Sequence, residues 1–322
     1  MVLVIIICIT PTVQAQETEE SKHGYSFSIS PQLGIITGHA EEIVLPTNTK
    51  AKYLSQLLWN MKPVFYYGFL LNFSGSEQRE KRGYFADISL KQGIPGFSGI
   101  HENRDWMSME NNRLTHYSIH SNETRELFFL DLSGGLSFPF NNMVLKAYAN
   151  VSFMRFSFSG SGGHGTYALE DPSSTGKYYP MSYNPLEVDY SGITVISYTQ
   201  QWLNFAPGVS LDYFFDDNFF AEISFLITPF VLCADMDEHK TTDTQFRDFM
   251  KGGIYIEPGA RLSHAINKWV DLSLDFSWRF ITGTKGVTYQ RRPIGAGNYV
   301  SFGQAGAGLS IIKIGLSCLI KL

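Results

Sequence analysis

Three acids and a histidine end an apolar stretch in "FVLCADMDEHK", residues 230–240. Asp237 and His239 are two positions apart, so in an extended chain their side chains point to the same side. A carboxylate that holds an imidazole can make it a general base, and that base can take a proton from a water molecule. The pair predicts hydrolysis by an activated water, with no metal, cofactor or covalent nucleophile.

A second polar segment, "HENRDWM" at residues 101–107, could hold the other side of that water. Asp105 offers a carboxylate, whereas Asn103 can hydrogen-bond a water but cannot accept its proton. The alternative interpretation is that both segments are solvated loops, because acidic loops are common and Asp-x-Glu-His is not a specific string. A metal site built from Asp105, His116 and His120 is disfavoured, since their spacing fits no strong metal signature.

These residues must be positioned by strands, because period-two alternation dominates the chain. In "VDLSLDFSWRF", residues 270–280, apolar side chains such as Leu272 and Trp278 alternate with polar ones such as Asp271 and Arg279. Charges in the middle of a strand suit a solvated lumen, and a large apolar face suits lipid. Backbone groups in lipid must all be paired, so the strands must close. We predict an all-β, antiparallel transmembrane β-barrel, with a soluble β-sandwich as the alternative.

Segment counting predicts ten strands, once two adjacent segments are merged. The predicted strands are residues 24–38, 52–62 merged with 64–73, 84–94, 124–139, 143–160, 195–215, 219–234, 247–266, 269–288 and 300–322. The predicted long loops, which we expect outside the membrane, are residues 39–51, 95–123, 161–194, 235–246 and 289–299. The loops at 95–123 and 235–246 are four strands apart, so their acids are expected to face each other across one mouth of the barrel.

The N-terminus and the composition narrow the class of protein further. Residues 1–15 combine an apolar run with a small-residue cleavage site and predict a secretory signal peptide, which leaves residues 16–322 as one domain. The formal net charge of −5 argues against nucleic acid as a partner. The remaining Cys233 and Cys318 are too few to staple a disulfide scaffold.

Several short motifs, in order along the chain, resemble the omptin family of outer-membrane proteases. They are "SQLLW" (55–59), "DWM" (105–107), "SIH" (118–120), "RFSF" (155–158) and "DMDEH" (235–239). The resemblance implies a ten-stranded barrel in the outer membrane with a protease site facing the exterior. It also implies protein or peptide substrates that are cleaved next to basic residues.

The resemblance assigns roles to individual residues. It makes Asp237 and His239 the catalytic dyad and Asp105 one of two opposing acids. Asp235 matches an acid that binds the basic side chain of the substrate. Glu42 falls near the family's other pocket acid, and Glu41 is an equally good occupant.

Two departures from the family pattern bear on the activity. Asn103 stands where the family has an aspartate, so one charge beside the water is missing. Of the Tyr, Glu and Arg patch through which the family binds lipopolysaccharide, the aligned positions are Val151, Phe153 and Arg155, and only the arginine matches. Two other functions stay open: an adhesin or surface-binding barrel with weak or no catalysis, and a simple pore.

Overall fold

The computed structural model describes residues 25–46, 53–75 and 82–322, so the predicted signal peptide lies outside the described residues. Fifteen strands occur within these ranges. They are β1 (Tyr25–Leu45), β2 (Ser55–Gly75), β3 (Gly83–Gly93), β4 (Gly96–Asp105), β5 (His116–Phe140), β6 (Met143–Tyr167), β7 (Leu186–Asp189), β8 (Thr194–Phe214), β9 (Phe219–Thr228), β10 (Val231–His239), β11 (Thr244–Lys251), β12 (Ile254–Asn267), β13 (Val270–Thr282), β14 (Lys285–Arg291) and β15 (Val300–Lys321). The part of the chain that the structure describes contains no helix able to cross a membrane.

The strands form one closed antiparallel ring. β3 with β4, β9 with β10, β11 with β12 and β13 with β14 are successive halves of single barrel strands, and the short β7 pairs with β6 only. β15 pairs along β1 and closes the ring. The ring therefore has ten barrel strands, which confirms the predicted barrel, including the merging of the second and third predicted segments into β2.

Burial shows that the barrel carries its apolar residues on the outside. On β13, Leu272 and Leu274 are 49% and 48% exposed, whereas Asp271 and Ser273 are each 7% exposed. A soluble sandwich would bury the leucines, so this inverted pattern is the one that lipid requires.

The interior of the barrel has two layers. The half near the start of β1 and the end of β15 holds a polar cavity of 740 Å³, lined by charged side chains that include Lys91, Asp131 and Arg279. The other half is filled by large buried aromatic side chains such as Trp59, Phe156 and Trp202. This packed layer obstructs the lumen and disfavours the pore.

The predicted loop boundaries are wrong on the outer side. Residues 39–45, 96–105, 116–123, 235–239 and 289–291 are strand, not loop. The reason is physical: above the membrane both faces of a strand can be polar, so the lipid-facing apolar signal disappears while the ladder of backbone hydrogen bonds continues. The connections between these strand ends are accordingly shorter, for example residues 106–115 and 240–243.

Candidate active site

Strand alternation turns two acids and the histidine of β10 into the barrel. Asp235, Asp237 and His239 occupy alternate positions, and Asp235 and Asp237 are 5% and 2% exposed. The intervening Glu238 points away from them and pairs with Lys240 instead. The site therefore lies on strand extensions above the lipid-facing belt, rather than in loops as the sequence predicted.

Asp237 and His239 form a hydrogen-bonded pair. His239 Nε2 lies 2.6 Å from Asp237 Oδ2. With Asp237 ionised, Nε2 donates that hydrogen bond, which leaves Nδ1 as the nitrogen able to accept a proton. The His239 side chain is 25% exposed, whereas that of Asp237 is 3% exposed, so the histidine is the member of the pair that water can reach.

Asn103 and Asp105 occupy neighbouring inward positions of β4. Asn103 Nδ2 donates to Asp105 Oδ2 at 3.4 Å. Ser55 on β2, which is directly opposite Asp105 in the register, donates to Asp105 Oδ1 at 2.6 Å and lies 3.3 Å from Asn103 Oδ1. Ser55 is not recognisable as a site residue from the sequence, because its contact with Asp105 joins residues fifty positions apart.

The two halves of the site act on each other electrostatically across the mouth. Burial lowers the pKa of His239, but the charge and hydrogen bond of Asp237, together with the charge of Asp105, outweigh burial, so the pKa lies above its usual value. Burial raises the pKa of Asp105, although Ser55, His116 and His239 oppose that rise. The charges of Asp105 and His239 thus act on each other's pKa, as expected if β4 and β10 face each other across the mouth of the barrel.

The acids assigned to substrate binding lie beside the dyad. Glu42 on β1 is 2% exposed. Its pKa is raised by burial and by the charges of Asp237, Asp235 and Asp248. Asp235 accepts a hydrogen bond of 2.9 Å from the Tyr198 hydroxyl, and its pKa is raised by burial and by the charges of Asp248 and Asp237.

Of the two glutamates that the sequence left open, the structure places Glu42 in this acidic cluster. Glu41 instead accepts a hydrogen bond of 2.5 Å from Gln56 on β2. Because adjacent residues of a strand face opposite ways, only one of the two can point into the barrel.

Stacked aromatic rings form the floor of the site. Trp59 stacks on His101 at 3.9 Å and on Tyr198 at 5.2 Å between ring centroids. Gln200 donates to the Tyr198 hydroxyl at 2.7 Å and accepts a hydrogen bond of 2.9 Å from Trp202 Nε1. This chain of contacts holds Tyr198, and through it Asp235, in a single orientation.

The other histidines near the site have partners of their own. His120 contacts the Gly162 carbonyl at 2.6 Å and the Ser118 hydroxyl at 2.9 Å, and His116 contacts the Thr115 hydroxyl at 2.9 Å. Burial lowers the pKa of His101, so this ring is neutral. Within residues 25–46, 53–75 and 82–322, no cluster of three or more His, Cys, Asp or Glu side chains is arranged to hold a metal ion.

Comparison with known proteins agrees with this architecture. The crystal structure of the outer membrane protease OmpT from Escherichia coli superimposes with a TM-score of 0.79 at 17% identity, covering 92% of this chain and 97% of that one. The Pseudomonas putida toluene transporter TodX gives a TM-score of only 0.31 at 10% identity, with 92% and 89% coverage. No curated protein matches the sequence. The model of the Omptin family matches residues 23–321, and the chain is therefore a member of the omptin family.

Proposed function

We propose that this protein is an outer-membrane endopeptidase that cleaves peptides and proteins next to basic residues, with its site facing the exterior. The observation that carries the proposal is the pair of Asp237 and His239, joined at 2.6 Å, at a barrel mouth that also holds Asp105. The connections at residues 106–115 and 168–185 leave the barrel at this end, and long connections lie on the outer side in outer-membrane barrels.

In the mechanism, a water molecule lies between His239 on one side and Asn103 and Asp105 on the other. His239 Nδ1 takes a proton as the water oxygen attacks the peptide carbonyl, and Asp237 stabilises the imidazolium that forms. When the tetrahedral intermediate collapses, the imidazolium gives that proton to the leaving amine. No covalent bond to the protein forms at any step.

The preference for basic residues follows from the acids beside the dyad. Glu42 and Asp235 are both buried, and the Glu42 Oε2 atom has no hydrogen-bond partner among the described residues. A guanidinium or ammonium group that enters this pocket would form charge-assisted hydrogen bonds in surroundings of low dielectric.

The proposal includes no lipopolysaccharide requirement. Val151, Phe153 and Arg155 alternate with the buried residues of β6 and so lie on its outward face. Arg155 forms an exposed ion pair of 3.2 Å with Glu126. An exposed ion pair of this kind is no evidence for a lipopolysaccharide-binding site.

A mixed peptide library tests the function. The folded protein is incubated with the library, and the cleavage sites are read by mass spectrometry. The proposal expects cleavage next to Arg or Lys, and cleavage concentrated at apolar residues would contradict it. The second candidate function is surface binding without catalysis, because Asn103 supplies no charge beside the water. A barrel with that function would retain basic peptides without cleaving them.

A further inference from the structure

Asp248 is a buried acid outside the set of site residues predicted from the sequence. It lies on β11 directly opposite Asp235 of β10 and is 1% exposed. Both of its carboxylate oxygens lack a hydrogen-bond partner among the described residues. Its nearest polar neighbours are the Thr288 hydroxyl, directly opposite on β14, and the carboxyl group of Asp235; both act on its pKa, but neither forms a hydrogen bond of ordinary geometry with it.

This arrangement is unfavourable for the free protein. Like charges directly opposite each other on neighbouring strands destabilise a sheet, and a buried polar group without a partner costs free energy. The titratable groups that face Asp248 supply no positive charge: they are the carboxyl groups of Asp235 and Asp237 on β10 and of Glu42 on β1, and the thiol of Cys233. The missing component is therefore a positive charge, placed so that Glu42 Oε2 and the Asp248 oxygens can accept its hydrogen bonds.

We propose that Asp248 is a third anionic wall of the pocket that receives the basic side chain of the substrate, beside Glu42 and Asp235. This inference rests on the proposed function and extends it from a pocket with two acids to one with three. A guanidinium carries five N–H donors in a planar fork, enough to bind carboxylates on more than one side.

The third wall couples substrate binding to a proton. Burial, opposed by contacts with Thr288 and Asp235 and reinforced by the charge of Asp237, raises the pKa of Asp248 to about 7, so near neutral pH about half of the free protein holds a proton there. A cation in the pocket stabilises the ionised carboxylate and expels that proton. The advantage of a charged side chain over a neutral one of the same shape must therefore grow as pH rises through about 7.

Two matched peptides test the proposal, one with arginine at the cleaved position and one with citrulline, which has a similar shape without the charge. The ratio of their kcat/KM values cancels the titration of His239, because both peptides use the same dyad. Asp248→Asn should lower this ratio about 10-fold near pH 8, the effect of one charge-assisted hydrogen bond, and change it little near pH 5.5. Asp271→Asn, at an acid near the opposite end of the barrel, is the matched control and should leave the ratio unchanged.

The outcomes separate this inference from the function on which it rests. If the wild-type protein cleaves the arginine and citrulline peptides with equal kcat/KM at every pH, both the basic pocket and the third wall are contradicted. A high wild-type ratio that Asp248→Asn leaves unchanged near pH 8 overturns the third wall alone. If Asp248→Asn does not fold, Asp248→Ser replaces it.

Binding provides a readout that does not need catalysis. Calorimetry of arginine amide, in buffers with different heats of ionisation, counts the protons released when it binds. At about pH 7 the wild-type protein should release more protons than the Asp248 variant. No binding to the wild type, or equal proton release by both proteins, overturns the proposal.

Discussion

Asn103 can form hydrogen bonds beside the water, but unlike an aspartate it carries no charge. Its amide donates to Asp105, and its carbonyl oxygen lies 3.3 Å from the Ser55 hydroxyl. The position is therefore integrated into the side of the site that faces His239. The missing negative charge should matter most when the imidazolium forms, which is in the transition state rather than in the bound substrate.

Restoring that charge should accelerate the reaction. We expect Asn103→Asp to raise kcat by about one to two orders of magnitude with little change in KM, equivalent to roughly 1.4–3 kcal/mol of transition-state stabilisation. Steady-state kinetics on one dibasic peptide measures both constants. An unchanged or lower kcat in a folded variant would mean that the site is adapted to asparagine.

The acidic limb of the pH–rate profile should report His239. A general base acts in its neutral form, and the pKa of His239 is raised above its usual value by Asp237 and Asp105 despite burial. Removal of one negative neighbour lowers that pKa, so Asp105→Asn should move the limb of kcat to lower pH, even if the rate falls. Glu102→Gln is the control, because Glu102 lies on the same strand, three residues before Asp105, and is paired with Arg104 at 2.5 Å. A limb that stays in place or moves to higher pH contradicts the role of His239.

At the residue scale, the alternation of side chains along a strand is the feature that the sequence predicts. It brought Asp237 and His239 to one side, because two positions along a strand always share a face. It missed Ser55 and Asp248, because their importance comes from partners on other strands: Asp105 for Ser55 and Asp235 for Asp248. The choice between Glu41 and Glu42 likewise needed the observed facing of β1.

At the scale of the strands, the site depends on extensions that rise above the lipid-facing belt. Several barrel strands are interrupted between an inner and an outer segment, for instance at Gly252 and Gly253 between β12 and β11. Among the outer segments, β4 carries Asn103 and Asp105, β10 carries Asp237 and His239, and β11 carries Asp248. Sequence patterns predicted the inner segments well, because lipid imposes the alternation there and nowhere else.

Gly253 should be indispensable to this junction. It has φ of +82°, and a Cβ atom there would lie 2.3 Å from the Thr282 carbonyl oxygen. Gly252 has φ of +77° with nothing within 4 Å of a Cβ atom, so it is a matched control. Gly252→Ala should cost about 1–2 kcal/mol of unfolding free energy from backbone strain alone, and Gly253→Ala clearly more. Urea unfolding in detergent micelles compares them; equal losses would show that the steric argument is wrong.

At the scale of the whole molecule, a buried ion cluster separates the polar cavity from the aromatic layer. Arg279 pairs with Glu257 at 2.7 Å and with Asp131 at 3.0 Å, and Lys313 pairs with Glu257 at 3.0 Å. These residues come from β5, β12, β13 and β15, so the cluster ties opposite walls of the barrel together. The sequence showed that β13 carries polar residues inward, but not which charges would meet across the lumen.

Loss of Arg279 should destabilise the barrel strongly. Arg279→Leu leaves Glu257 and Asp131 with a buried negative charge that is only partly compensated, which typically costs about 3–5 kcal/mol. Arg125→Leu is the control, since the pair of Arg125 with Glu123 is largely exposed and is worth at most about 1 kcal/mol. Urea unfolding of both variants measures the difference. A loss for Arg279→Leu no larger than that of the control would show that the cluster does not hold the barrel together.

The central claim is that the barrel presents the pair of Asp237 and His239 as the base that activates water. Cleavage of one arginine-containing peptide by the wild-type protein and by His239→Ala tests it most directly, with His264→Ala, near the opposite end of the barrel, as the control. Loss of a general base typically lowers a rate about 10²–10⁴-fold. The cleavage rate of His239→Ala should therefore be at least about 10²-fold below that of the wild type, whereas the control should keep the wild-type rate. Heat-modifiable mobility on gels shows that each variant is folded. Cleavage by folded His239→Ala at the wild-type rate would contradict the account.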